Sequence, residues 1–252
     1  SRRQYHNVVE AAKDGMVLFA FMTFILARRA ETERAAGGRS IIGAGGFSVE
    51  TLEMAENVCL HVHPNDQFKD VSINVEFMSP LVREERAGRL VLSLMLQDVC
   101  AQYPTKLEAS RVFDELYGAT LSMSDEPKGK ADIFECSCTA ADQRFLKEKD
   151  ILKRQFELIG SFLLHPLASG ERFSPELFEE NRQKAVTMVR MALDQPMSYA
   201  ADHAATLYGG YYADRNMPTE EELKTLTNVD TMKLYRDILE HAAVDIFVLG
   251  HV

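Results

Sequence analysis

The sequence predicts an α+β fold, a mostly antiparallel sheet with helices packed on one face, and three patterns carry that expectation. Residues 58–63 and 71–77 alternate apolar and polar side chains with the period of two that sends every second residue to one face of a strand. Residues 84–99, 149–164 and 174–193 repeat their apolar positions at helical spacing. Strands and helices come in runs rather than in strict alternation, which is the order of an α+β domain and not of a parallel α/β one.

Each element follows from local chemistry. V-C-L-H-V-H (58–63) and V-S-I-N-V-E-F (71–77) read as strands, and Pro64-Asn65-Asp66 offers turn residues between them, so the two are expected to form a hairpin. Leu90, Leu92, Leu94, Met95, Leu96 and Val99 then mark a largely buried helix that Pro104 ends. Thr105 with Glu108 three residues on is a capping box, and Leu107, Val112, Phe113 and Leu116 give the next helix its apolar face up to Gly118. Residues 119–124 and 132–139 flank Glu126-Pro127-Lys128-Gly129 as a second expected hairpin. A helix with Ile151, Leu152, Phe156, Ile159, Phe162 and Leu163 inward stops at His165-Pro166, because the residue before a proline is pushed out of helical geometry. Ser174-Pro175 opens a long helix, serine as the cap and proline at the first helical position, running to Leu193 before Pro196. Shorter helices near 199–207, 220–226 and 230–241 lead to a closing strand at 244–249.

Composition narrows the function. The 252 residues, 46% hydrophobic, suffice for a substantial core, while a net charge of −10 and a pI near 5.2 exclude a nucleic-acid surface, which needs clustered Lys and Arg. Cys59, Cys100, Cys136 and Cys138 lack paired C-x-x-C spacing and read as reduced thiols of a cytoplasmic protein. The apolar run at residues 16–27 is too short for a membrane span, which needs roughly 20 residues. It is expected first as a buried or partner-facing helix, with a targeting or membrane-associated segment and a sequence artefact as the other readings. A Gly-rich stretch at 37–46 divides an atypical amino-terminal segment with its linker, residues 1–47, from a domain at 48–252. Gly43-Ala44-Gly45-Gly46 is not a phosphate loop, since no strand precedes it and no G-K-[ST] follows. Glu84, Glu85 and Arg86 read as a charged, solvated first helical turn.

A series of segments spans residues 50–250 in a recognisable order: L-H-V-H-P-N-D-Q-F-K-D (60–70), M-S-P-L (78–81), Y-P-T-K (103–106), F-D-E-L-Y-G-A-T-L (113–121), L-L-H-P-L (163–167), Y-A-A-D (199–202) and V-D-I-F-V-L-G-H (244–251). Together they resemble the first domain of the pitrilysin-type, or insulinase-type, zinc metallopeptidases, and more specifically the bacterial non-catalytic homologue associated with elongation factor P aminopentanol modification. Active members of that family carry H-x-x-E-H on the helix before the Y-P segment, two His as zinc ligands and the Glu to activate water. Counting back from Tyr103, those positions fall on Leu90, Ser93 and Leu94, and the downstream Glu ligand falls near Asn181 or Met188. Leucine cannot coordinate a metal, and a serine hydroxyl is no general base near neutral pH. The resemblance therefore implies a catalytically inactive peptidase homologue with no catalytic residue, metal or cofactor of its own, zinc being expected only in a catalytic partner.

What remains of the family's chemistry is peptide holding. Family members add an extended peptide to an exposed strand edge, and the matching residues here are Ala119, Thr120, Leu121, Ser122 and Met123. The family usually works as two homologous halves, and the second homologous domain is absent from this sequence, so the expected partners are a homologous peptidase subunit bearing the zinc motif, in a heterodimer, and an extended peptide or protein segment. Neither nucleic acid nor a membrane is expected as a partner. Two alternatives stand beside this reading: a metallopeptidase with an unrecognised zinc site, for which His61 and His63 two apart on one strand face are the starting pair, and a fragment without independent function.

Overall fold

The structure, a computed structural model, describes residues 39–42 and 48–252. The apolar run at residues 16–27 lies outside them. Strands β1 (Arg39–Ile42), β2 (Ser48–Ala55), β3 (Val58–Pro64), β4 (Asp70–Pro80), β5 (Thr120–Lys128), β6 (Ala131–Ala141) and β9 (Ala243–Gly250) build one seven-stranded sheet in the order β1-β2-β3-β9-β4-β6-β5. Strands β7 (Ala168–Ser169) and β8 (Arg172–Phe173) form a separate small ribbon. Every pair in the large sheet is antiparallel except β3 with β9. The helices are α1 (Arg86–Leu96), α2 (Lys106–Glu115), α3 (Ile151–Leu164), α4 (Pro175–Leu193), α5 (Pro196–Tyr208), α6 (Tyr211–Asp214), α7 (Glu220–Thr225) and α8 (Asn228–His241).

The pleat makes the sheet two-faced. Val58, Leu60 and Val62 of β3, Val71, Ile73, Val75 and Phe77 of β4, Phe134, Cys136 and Cys138 of β6, and Val244, Ile246 and Val248 of β9 are buried. They meet α1, α3 and α8, whose buried residues include Leu92, Met95, Phe156, Ile159, Phe162, Ile238 and Leu239. The alternate residues make a polar opposite face, where Ser72 and Thr139 hydroxyls pair at 2.9 Å and the Ser137 hydroxyl donates to Asn74 Oδ1 at 2.7 Å. Helices on one side of a largely antiparallel sheet with a polar second side is the α+β arrangement that the sequence predicts.

The first expected hairpin does not form. β9 inserts between β3 and β4, pairing Val62 with Val248 on one side and Ile73 with Val248 on the other. The turn residues at 64–66 instead begin a crossing, pinned where the Asn65 amide donates to the Gly250 carbonyl at 2.8 Å. An apolar alternation on β9 that satisfies both neighbours displaces the local pairing, because a central strand has two edges to fill. The second hairpin forms, with β5 and β6 longer than expected and the chain reversing at Gly129-Lys130. Pro196 opens α5 rather than ending α4, since a proline at the first helical position lacks only an amide that would have no helical partner. Strand β1 falls inside the stretch expected as linker, and β2 and α6 are further additions. Among the described residues, no helix is long and apolar enough to cross a membrane.

Candidate functional site

Helix α1 packs between β5 on one side and α4 on the other. Its inner face is Val91, Leu92, Met95 and Leu96, all buried, and Gly88 lets α8 approach: a Cβ there would stand 2.7 Å from Leu234 Cδ2. Leu90 and Leu94 are half-buried, and Leu94 lines an open groove of about 520 Å³ with Glu180, Gln183, Lys184, Thr187 and Met188 of α4. Ser93 is buried and its hydroxyl donates back to the Leu90 carbonyl at 2.9 Å, the usual way a mid-helix serine satisfies itself.

The facing positions on α4 are equally poor in ligands. Asn181 is fully buried, donating from Nδ2 to the Leu177 carbonyl at 3.0 Å while Oδ1 accepts from Lys184 Nζ at 3.2 Å. Met188 is 42% exposed. The two nearby carboxylates are engaged by ammonium groups: Lys184 Nζ reaches Asp98 Oδ2 at 2.7 Å and Glu180 at 3.3 Å, and Lys106 donates to Glu180. Lys106 holds the Glu180 carboxyl below the usual range. Zinc requires three or four lone-pair donors converging on one point, and this groove supplies aliphatic carbon and one carboxylate, Glu180, already paired with Lys106 and Lys184. The residues do not fit the metal of the zinc-bearing relatives.

Among the described residues, strand β5 is the terminal strand of the sheet, bonded to β6 alone. Its register with β6 is unbroken from Thr120 to Lys128, so the direction of its backbone groups alternates without interruption. The Met123 amide points away from β6, to Gln97 Oε1 at 3.4 Å, and the Ala119 amide likewise turns out, to the Phe113 and Leu116 carbonyls at 3.2 Å. Leu121, between them in the alternation, therefore directs its amide and carbonyl to the same side, as do Asp125 and the carbonyl of Pro127. Thr120 and Ser122 spend their backbone groups on β6. Of the five sequence-matched edge residues, Leu121 and Met123 thus present outward backbone groups next to α1, and the Ala119 amide is held by the end of α2.

A buried charge cluster locks the start of α1 to the far end of this hairpin. Arg86, 7% exposed, donates to Asp125 and to Asp132 Oδ1 at 3.0 Å; Arg89, 1% exposed, donates to Glu85 Oε2 at 2.9 Å and Ser79 Oγ at 2.6 Å. Among the described residues, Arg86 Nε, Arg89 Nη1 and Asp125 Oδ1 make no hydrogen bond, the last two standing as an ion pair 3.5 Å apart. Burial, and then the neighbouring Asp132 charge, push the Asp125 carboxyl up to about 6 against the opposing pull of Arg86 and Arg89. The sequence reading of Arg86 as part of a solvated turn is corrected here: its guanidinium is inside, because two carboxylates from the hairpin meet it.

His61 and His63 share the polar face of the sheet. His61 joins Cys59 and Asp245, with which its ligand-capable atoms lie within 4.8 Å, and His63 is not part of that group. Met191, Met197, Tyr199, Leu207, Tyr208 and Tyr212 form an exposed apolar surface across the end of α4 and on α5 and α6, Met197 and Tyr208 at 83% and 82% exposure.

No family model matches the chain. A Bacillus subtilis protein named "Probable inactive metalloprotease YmfF" is 20% identical over 203 residues, 76% of this chain and 46% of that protein. A conserved protein from Enterococcus faecalis superposes with a TM-score of 0.75 at 23% identity, covering 81% of this chain and 49% of the other. The peptidase M16 inactive domain from Pseudomonas fluorescens superposes at 0.60 and 15% identity, covering 81% and 47%. The chain spans about half the length of the relatives it matches. None of these three names bears on elongation factor P.

Proposed function

The chain has the pitrilysin-type metallopeptidase fold and is a homologue of proteins named as inactive members of that class, and from that premise we propose that it holds an extended peptide for a homologous subunit that carries the zinc motif. One observation carries the reading: among the described residues β5 is an open sheet edge, with the Leu121 backbone turned outward, running beside the helix whose Leu94 lines the groove against α4. Backbone pairing along an edge needs no metal, so the loss of ligands leaves this half of the chemistry intact.

The exposed Met and Tyr surface on α4, α5 and α6 supports a partner role. Single exposed apolar residues are ordinary, but several on neighbouring elements, flexible methionines among them, are the composition of a contact surface. A cytoplasmic location belongs to the same proposal and rests on four free cysteines, three of them buried.

The test is a fluorescence anisotropy titration of labelled, unstructured peptides onto the full chain. Leu121→Pro deletes an outward amide without touching a β5–β6 hydrogen bond, so binding is expected to weaken about tenfold while the fold persists. Unchanged affinity in that variant would falsify the edge as the peptide site. Met197→Glu with Tyr208→Glu is expected to abolish co-purification with an H-x-x-E-H-bearing homologue and to leave peptide binding in place, which separates the two parts of the proposal.

A further inference from the structure

The polar face of the sheet carries a second cluster, remote from the β5 edge, that the peptide reading does not use. Cys59 and His61 are two apart on β3 and point to the same side. In the parallel pairing of β3 with β9, Asp245 lies directly beside Cys59 and Phe247 beside His61. On the other flank, antiparallel β2 sets Glu53 opposite Cys59 and Thr51 opposite His61. Sheet register alone thus brings together a thiol, an imidazole and a carboxylate from segments far apart in sequence.

We propose that Cys59, His61 and Asp245 form a binding site for a divalent zinc ion that ties β3 to β9. The Sγ, ring nitrogen and carboxylate oxygen lie within 4.8 Å of one another, and His61 Nε2 is 2.9 Å from Asp245 Oδ1. Tetrahedral zinc with bonds of about 2.0–2.3 Å holds its donors roughly 3.3–3.6 Å apart, so occupation requires side-chain shifts of only about 1 Å. His61 is already aimed: Nδ1 pairs with Thr51 Oγ1 at 3.0 Å and the ring stacks on Phe247 with centroids 4.6 Å apart, which turns Nε2 toward Asp245. A ligand histidine whose other nitrogen is fixed in this way is a common support of metal sites.

The electrostatics favour a cation. Sheet register sets a carboxylate on each side of Cys59, Glu53 from β2 and Asp245 from β9, so negative charge flanks the sulfur. On binding, the ion takes the lone pairs of sulfur, nitrogen and oxygen, the thiol proton leaves to water, and the contact between His61 and Asp245 is replaced by two metal bonds. A sulfur, nitrogen and oxygen donor set suits zinc and disfavours magnesium or calcium, which take oxygen alone. The fourth position falls to water or to Glu53. The site tethers β3 and β9, the single parallel pair among the described strands, and its place on the polar face of the sheet, separated from β5 by β4 and β6, makes it structural rather than peptidolytic.

The experiment is a zinc titration of the metal-free full chain, paired with cobalt substitution and read by absorption and by thermal unfolding. One equivalent is expected to bind, to give a thiolate-to-cobalt charge-transfer band, and to raise the unfolding midpoint by mass action. Cys59→Ser and Asp245→Asn are expected to weaken zinc binding by more than about 100-fold, and Thr51→Val by about tenfold through the freed histidine ring. His63→Ala is expected to bind as the wild type does. Far-ultraviolet dichroism of each metal-free variant establishes that it is folded. Absence of stoichiometric binding, binding that survives Cys59→Ser, or equal loss in His63→Ala overturns the site, and none of these results touches the peptide reading.

Discussion

Gln97 Oε1 accepts the Met123 amide at 3.4 Å, so a side chain one turn beyond Leu94 occupies part of the edge that β5 otherwise leaves open. An incoming peptide strand has to displace that amide group to pair through Met123. Gln97→Ala removes the competitor, and the net value of such a hydrogen bond, about 1 kcal/mol, predicts roughly fivefold tighter peptide binding. It also bares a longer edge, so the variant is expected to self-associate at lower concentration, measurable by light scattering. Weaker peptide binding in Gln97→Ala would mean that the glutamine belongs to the site rather than shielding it.

Asp125 makes stability depend on pH in a direction opposite to that of most carboxylates. Its folded value of about 6 lies above the unfolded value near 3.9, so between those limits the folded chain binds the proton more tightly. The stabilisation from this proton is full below about pH 4 and is lost as pH rises through about 6. Asp125→Asn keeps the shape without the titration. Relative to wild type, the variant is expected to gain stability between pH 4 and pH 7, by up to roughly 3 kcal/mol, read from urea unfolding at each pH. A difference that stays constant over that range would show that Arg86 and Arg89 hold the carboxylate ionised throughout.

Thr105 and Glu108 close a reciprocal cap on α2, the Glu108 amide donating to Thr105 Oγ1 at 3.2 Å and the Thr105 amide donating to Glu108 Oε2 at 3.1 Å. At its other end α2 holds the Ala119 amide and so sets where β5 begins. Thr105→Ala is expected to cost about 1 kcal/mol in unfolding free energy and to speed amide exchange in the first turn of α2. Exchange at Ala119 is expected to change less, since that amide is tied to the opposite terminus.

Local chemistry made these elements legible. The alternation of Val71, Ile73, Val75 and Phe77 marks β4, Thr105 with Glu108 marks the start of α2, and Ser174 with Pro175 marks the start of α4. Each signal lies within a few residues of the feature it specifies. Partner choice was not legible: β9 sits between β3 and β4 although nothing near residue 64 announces a third strand from residue 243 onward. Arg86 read as solvated for the same reason, its partners Asp125 and Asp132 being 39 and 46 residues away. His61 showed no third ligand in the sequence because Asp245 is 184 residues distant, joined to it only by the pairing of β3 with β9. The aliphatic character of Leu90 and Leu94 was plain from residue identity, whereas the place of Lys184 in the groove beside Leu94 needed α4 to be set against α1.

Gly250 closes β9 at φ 140°, a backbone conformation that only glycine adopts without strain, and an added Cβ would stand 2.8 Å from the Asp70 carbonyl oxygen and 3.0 Å from Val71 Cγ2. The neighbours are the backbone and first residues of β4, which cannot rotate aside as the tip of a long side chain could. The same residue's carbonyl accepts the Asn65 amide at 2.8 Å, so the crossing from β3 to β4 is pinned at this point. Gly250→Ala is therefore expected to cost on the order of 3 kcal/mol and to lower the unfolding midpoint by roughly 10 °C. Gly118→Ala provides the comparison: Gly118 sits at φ 74° with nothing within 4 Å of the place an added methyl would take, so only the left-handed conformation is penalised, by about 1 kcal/mol. Calorimetric melts of the two variants measure the difference, and equal losses would mean that Asp70 and Val71 yield to the added carbon instead of holding β9 in place.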